Sequence, residues 1–269
     1  MNKLVQALTF ISTVSNIWPE KTTLTMTEGQ DEAVNQANNS MGFPKSASNW
    51  HWDREYARHT AIPSSGRDNP SKALIAAQSQ LDYESVDVAV DIGCGNGRNA
   101  VYLAEKGINV IAIDFSTEAV ARTRERIAQS SVSGSVEVLL ADITHGCPIT
   151  ADSIDLVIDS YFSCHLIEEN VLQNYFDEVR RILSPDGQLY WSGLGVEDEY
   201  YQSISNSHPA ENVIVDPLND IPKKLYDSAD LDVQLPVAKV PSLTMELLFE
   251  DDVAGNSYKR SIISAVFNN

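Results

Sequence analysis

Val90–Ala100 reads VDIGCGNGRNA, with Gly93, Gly95 and Gly97 packed into five positions behind an apolar run that carries Asp91 near its end. Such crowding implies a sharp backbone turn and a close approach that a Cβ would obstruct. The flanking sequence is patterned for a buried sheet. Short β-rich runs, VDVAVDI to Ile92, NVIAID to Asp114, VEVLLAD to Asp142, IDLVID to Asp159 and QLYWSG from Gln188, alternate with helical periodicity. That is the pattern of a parallel sheet covered on both faces. In a doubly wound sheet the first strand-to-helix turn belongs to the ligand site beyond the carboxyl ends of the strands.

The clearest helix is Glu169–Leu183, whose Val171, Leu172, Tyr175, Phe176, Val179, Ile182 and Leu183 recur at three- and four-residue steps. The stretch SPDG, Ser184–Gly187, stops it, because Pro185 cannot continue the ladder and Asp186-Gly187 suits a tight turn. Arg98–Lys106 is a second helix, ended by Gly107, and a third is expected over Ser71–Leu81. After Gly195 the regularity fails. Tyr200–Val240, with Pro209, Pro217, Pro222 and Pro236, reads as an insertion with little regular structure, and SLTMELLFE and YKRSIISAVF close the chain as two strands joined through DDVAGNS. The expected organisation is a flexible extension over 1–45 and one domain over 46–269. Within it lie a helical lid (46–85) rich in Trp50, Trp52 and Tyr56, a core (86–195), the insertion (196–242) and the strand pair (243–269).

The 269 residues carry 38 Asp+Glu against 19 Lys+Arg, a net charge of −19 that repels polyanions unless a basic face is set apart. No such face is visible in the sequence. Between Val196 and Val253 stand thirteen acids and three lysines, read as a solvated acidic surface. Cys94, Cys147 and Cys164 are odd in number and lack paired spacing, so neither a disulfide framework nor a metal site is signalled. A reducing, cytoplasmic setting is the default expectation, with no convincing secretory signal and no apolar run of the roughly 18 residues that a membrane helix needs.

Three ligand classes compete for the loop. A phosphate loop needs a Lys followed by Ser or Thr, which is missing. A dinucleotide fingerprint needs its third glycine where Arg98 stands, and Gly97 comes one residue early. What remains is D-x-G-x-G-x-G, and an acid at Asp91 suits a ligand with a cationic amine better than one with phosphates.

VDIGCGNGRNAVYLAEKGINVIAIDFS resembles the first two motifs of the class I S-adenosylmethionine-dependent methyltransferases. The likeness continues in order through LLADI, IDLVIDSYF and EVRRILSPDGQLYWSG, over 86–195. Upstream Trp52, Asp53 and Tyr56 are similar to the small-molecule branch that includes tellurite-resistance and thiopurine methyltransferases. The resemblance implies a Rossmann-like α/β fold, with a doubly wound, mostly parallel seven-stranded sheet, helices on both faces and the last strand antiparallel. Its cofactor would be S-adenosyl-L-methionine, with the methionine part against Asp91, Gly93, Cys94 and Gly95. The ribose would lie on Asp114, and the adenine on Phe115 and beside Asp142 and Ile143.

Asp159 would hold the methionine amine or the substrate, and Tyr161 would line the acceptor pocket. His165 is the candidate general base, since an ordinary pKa near 6.5 permits proton transfer at neutral pH; the competing role is a structural hydrogen-bonder. His145 is a weaker candidate. Arg67 is either a clamp for an anionic acceptor or a solvated loop residue, and Asp198–Tyr201 is expected to close the acceptor side. The function implied is methyl transfer to a small-molecule S, N, O or heavier chalcogen nucleophile, with neither nucleic acid nor membrane as partner. The rival is a non-catalytic cofactor-binding regulator; an NAD-dependent oxidoreductase is a third possibility, disfavoured by Arg98 and Gly97.

Overall fold

The computed structural model describes Ala7 and residues 46–58, 66–204, 207–208, 212–229, 231–237 and 241–269. The expected extension over 1–45 lies, Ala7 apart, outside the described residues. In chain order the elements begin with α1 (Asn49–Arg58), α2 (Lys72–Ala77), β1 (Val88–Ile92), α3 (Arg98–Glu105), β2 (Asn109–Asp114) and α4 (Thr117–Gln129). They continue with β3 (Val136–Leu140), β4 (Ile154–Ser160), α5 (Glu169–Ile182), β5 (Leu183–Gly195) and α6 (Glu199–Gln202). Then come β6 (Ser207–His208), β7 (Val213–Val215), β8 (Pro222–Tyr226), α7 (Leu231–Gln234), β9 (Leu243–Val253) and β10 (Asn256–Asn268).

The seven expected strands are present as β1 to β5, β9 and β10, in the spatial order β3-β2-β1-β4-β5-β10-β9. The first five run parallel, and β10 is antiparallel to both β5 and β9. Strand order therefore reverses between β1 and β4, which puts the carboxyl ends of both at the switch point.

Every residue of β1 is buried, because the two-residue period sends Val88, Val90 and Ile92 into one apolar layer and Ala89 into the other. The first layer is completed by Leu172, Tyr175, Phe176, Val179 and Ile182 of α5, and the second by Ala100, Leu103 and Ala104 of α3. Each large apolar side chain so buried contributes roughly 1.5–3 kcal/mol, which is why these helices lie flat on the sheet.

Three expectations are corrected. Helix α5 stops at Ile182, and SPDG does not separate it from the strand: β5 begins at Leu183. Pairing jumps from Ile154↔Leu183 to Leu156↔Gln188, so Ser184–Gly187 bulges from the ladder. Asn269 ties the bulge down, donating from its backbone N to Gly187 O (2.8 Å) and from Nδ2 to Ser184 O (2.9 Å). Secondly, α2 ends at Ala77 and tightens into a 3-10 turn over Gln78–Gln80 instead of running to Leu81.

Thirdly, the Pro-rich segment after Gly195 is not irregular. It holds α6, three strands and α7, and β8 extends the sheet by pairing Leu225 and Tyr226 with Leu194 and Gly195. Sequence periodicity could not reveal this, because what holds the segment is an ion pair formed on folding: Lys223 Nζ lies 2.7 Å from Asp216 Oδ2 with both side chains 3% exposed.

The final hairpin is longer than DDVAGNS suggests, since only Ala254 and Gly255 lie between β9 and β10. Both are left-handed, at φ +50° and +83°, as a two-residue hairpin turn matched to strand twist requires. Left-handed geometry is costly for Ala and free for Gly. Replacing Ala254 with Gly should therefore stabilise the protein by about 0.5–1 kcal/mol after allowing for the more flexible unfolded chain, measured as the shift in the urea unfolding midpoint at unchanged slope.

Candidate functional site

The glycine bend is left-handed at all three glycines, with φ of +62° at Gly93, +60° at Gly95 and +76° at Gly97. It is pinned to the neighbouring strand: Cys94 N donates to Ile113 O and Gly95 N to Asp114 Oδ2, each at 3.0 Å. From behind, Thr123 Oγ1 donates to Gly95 O at 2.9 Å. A Cβ at Gly95 would lie 2.4 Å from the Tyr56 hydroxyl, and one at Gly97 would lie 2.8 Å from Thr123 Cγ2. A Cβ at Gly93 would lie 2.6 Å from Phe162 Cδ2, so all three glycines make room for protein side chains; Gly93 alone of the three also faces the large cavity, of about 680 Å³, beyond the strand ends. That volume lies within the range of about 300–1,000 Å³ typical of small-molecule sites.

Of the residues singled out from the sequence, Gly93, Asp114, Phe115, Asp142, Ile143, Tyr161 and His165 line this cavity. Asp91, Cys94, Gly95 and Asp159 do not. Asp91 lies behind the bend, 1% exposed, with an Oδ2 that has no hydrogen-bond partner. Burial pushes its pKa up to about 7, opposed by the Arg98 charge. Asp114 is lifted to about 6 by burial, opposed by backbone hydrogen bonds from Ser116 and Gly95. Asp142 accepts from Thr144 N (3.0 Å) and Oγ1 (2.6 Å), and its other oxygen lies 3.0 Å from His145 Nδ1. The Cys94 thiol is held well above its ordinary pKa, first by burial and then by Asp114, so it is no nucleophile.

Asp159 has a different task from the one expected of it. It is fully buried and accepts from Phe162 N (3.0 Å), Ser163 N (3.1 Å) and Tyr175 Oη (2.9 Å). Those bonds shape the turn that carries Tyr161, itself left-handed at φ +65°. Burial raises the Tyr161 hydroxyl pKa, so it faces the cavity protonated.

His165 does not keep the pKa that made it a candidate base. Burial, and then the nearby Lys223 charge, push it down to about 3. Its Nδ1 is 3.2 Å from Pro222 O, so that nitrogen carries the proton, and its ring meets Trp52 edge-on at 4.7 Å. The result is a neutral, structurally bonded imidazole on the wall.

Helix α1 covers the cavity with Trp52 and Tyr56, whereas Trp50 is off the wall, with Arg54 4.5 Å over its ring. The helix is anchored by Asp53, whose Oδ1 accepts from Ser116 Oγ at 2.6 Å and from Glu118 N at 3.3 Å, a carboxylate on the amino end of α4.

Sequence reasoning missed most of the basic wall. Lys72, Arg98, Lys223 and Arg260 line the cavity together with Arg67. Arg67 pairs with Asp251 of β9, and Arg260 Nε lies 2.7 Å from Asp198 Oδ2. Of the expected closing segment, Tyr201 reaches the cavity, while Asp198 holds Arg260. No local signal marks the five basic residues, which come from one loop, two helices and two strands.

Residues 89–187 match the family model described as a methyltransferase domain. Ribosomal RNA large subunit methyltransferase G of Streptomyces coelicolor is 33% identical over 108 residues, 39% of this chain and 28% of that protein. The uncharacterized methyltransferase sll0829 of Synechocystis is 32% identical over 113 residues, 40% of this chain and 50% of that one. The chain thus spans half or less of the length of these curated relatives. The crystal structure of N-methyltransferase NodS from Bradyrhizobium japonicum, in complex with S-adenosyl-L-homocysteine, superposes with a TM-score of 0.56 at 18% identity, covering 82% of this chain and 97% of that one, a likeness of fold. A Cβ-free Gly93 on the wall, an orphaned Asp91 oxygen behind it and Asp114 at the end of β2 fit the amino-acid and ribose parts of such a cofactor. Residues 89–187 are thus similar to a methyltransferase domain, set in a doubly wound sheet with a glycine bend at the end of its first strand.

Proposed function

We propose that the protein transfers a methyl group from S-adenosyl-L-methionine to a small-molecule acceptor. The observation that carries this reading is the single cavity that runs from Gly93, Asp114 and Asp142 past Tyr161 to Phe249 and Ile262 of the terminal hairpin, under Trp52 and Tyr56. Donor and acceptor would meet there under cover. The nucleic-acid substrate in one relative's name belongs to that protein. A net charge of −19 here favours a small acceptor over a polyanion, and Trp52, Asp53 and Tyr56 support the small-molecule branch.

When bound, the cofactor supplies a methyl carbon on a positive sulfur, open to in-line attack. The chain's own residues do the rest. Asp114 would accept the ribose hydroxyls, a charge-assisted pairing; Phe115, Ile143 and Asp142 would hold the adenine. Asp91 would act on the amine from behind the glycine bend, and Arg98 on the wall would counter the carboxylate. With His165 neutral and Tyr161 protonated, neither residue takes a proton from the acceptor at neutral pH. The rate then rests on alignment and exclusion of water, worth up to roughly 7–11 kcal/mol in well-oriented systems. Acceptors that attack without a base, thiolates and amines foremost, suit this wall best.

Incubation with thiols, amines and phenols should produce S-adenosylhomocysteine above the protein-free blank for at least one acceptor; cofactor binding without any turnover would instead make the protein a regulator. Asp114→Ala should weaken cofactor binding by about 1.5–3 kcal/mol, the scale of hydrogen bonds to a charged group, read by calorimetry on a variant whose unfolding is unchanged.

The raised Asp91 and Asp114 pKa values also set a pH dependence. The cofactor's ammonium and hydroxyls prefer both carboxylates ionised, so binding below about pH 7 must release protons. Affinity should therefore climb from pH 5 to pH 8, most steeply below about pH 6 where both acids are protonated in the free protein and levelling off above about 7, and a flat calorimetric profile would contradict the placement of these two acids.

A further inference from the structure

Acids outnumber bases by 38 to 19 in the chain, yet the cavity wall carries five of each. The five acids are accounted for. Asp114 and Asp142 belong to the cofactor half. Glu168 accepts from Ser46, Asp68 pairs with Arg126, and Asp251 pairs with Arg67.

On the basic side, Arg67, Lys223 and Arg260 are balanced by Asp251, Asp216 and Asp198. Arg98 has no ion pair among the described residues; its Nη1 donates to Asn69 O at 3.3 Å, and on the proposed reading it belongs to the cofactor's carboxylate. Lys72 has no ion-pair partner among the described residues; its Nζ lies 4.2 Å over the Phe249 ring. Next to it Ser71 Oγ, on the wall and 1% exposed, has no hydrogen-bond partner. The surroundings are apolar: Phe249, Ile262, Leu194 and Tyr201.

This half of the cavity therefore offers the exposed Lys72 ammonium, without an ion-pair partner among the described residues, and the buried Ser71 hydroxyl beside an apolar wall. On the reading of the cavity as a shared donor and acceptor site, we propose that the methyl acceptor is an organic monoanion, an apolar body bearing one carboxylate, held by Lys72 and Ser71. Arg67 and Arg260, already paired, set a positive rim without calling for a second negative charge, which disfavours a phosphate dianion. A neutral or cationic ligand places no negative charge opposite the Lys72 ammonium, so the wall discriminates by charge.

The full chain, saturated with S-adenosylhomocysteine, is titrated by calorimetry with 4-hydroxybenzoate, cinnamate and octanoate, each beside its primary amide. At least one acid should bind ten-fold or more tightly than its amide. Lys72→Gln should remove most of that preference while leaving the amide and S-adenosylhomocysteine affinities as they were. Equal affinity for acid and amide, no binding of any acid at millimolar concentration, or a preference that survives Lys72→Gln would each overturn the proposal. If the cofactor product fails to bind while the acids still bind selectively to the protein alone, the methyl-transfer reading falls and the anion site stands.

Discussion

The hydrogen bond from Gly95 N to Asp114 Oδ2 fastens the end of β1 to the end of β2, next to the β1–β4 boundary where the sheet reverses its order. The cavity, the position of Gly93 and the seating of α3 all follow from that bend. It is available only to glycine, for two different reasons: the left-handed torsions, and the Tyr56 and Thr123 side chains that occupy the space of a Cβ. The same carboxylate also accepts from Ser116 N at 2.9 Å, so one buried acid organises the loop, the entry to α4 and the wall of the cavity.

Charge is distributed around this centre against the trend of the whole chain. Ionised groups are expensive to bury unless paired and hydrogen-bonded. The protein nevertheless buries Lys223 with Asp216 and Arg260 with Asp198 at the acceptor end, and both acids take further bonds: Asp216 from Tyr200 Oη at 2.8 Å and Asp198 from Ser261 N at 3.2 Å. The Arg260–Asp198 pair stitches the segment after β5 to the terminal hairpin, and the Lys223–Asp216 pair closes that segment on itself. They also lay a cationic surface inside a protein whose exterior is acidic. The apparent solvated acidity of the C-terminal third is thus partly internal, each buried acid holding a base that faces the cavity.

The covering helix depends on electrostatics of another kind. Asp53 sits on the amino end of α4, where the unpaired backbone N–H groups attract a carboxylate. That contact turns Trp52 and Tyr56 inward and leaves Trp50 with Arg54. Trp52 in turn packs on His165, whose neutrality follows from being buried there beside Lys223.

Periodicity and turn chemistry were enough to place the parallel strands, α5 and the glycine bend, because each is governed by neighbours within a few residues; the wall positions Gly93, Asp114, Phe115, Asp142 and Ile143 came from the resemblance of the motifs. Asp159 and His165 were legible as residues but not in their roles. Whether a carboxylate is free or saturated, and whether an imidazole titrates near 6.5 or about 3, depends on which distant groups close around it. The basic wall was invisible for the same reason. Lys72 stands more than a hundred residues before Lys223 and Arg260, and the wall they share forms only when the β5, β8 and β10 edges come together. The sequence by itself determined the sheet and the donor end of the cavity through local backbone constraints; the charge and the proton state of the acceptor end were decided by tertiary burial, which sets desolvation and long-range pairing.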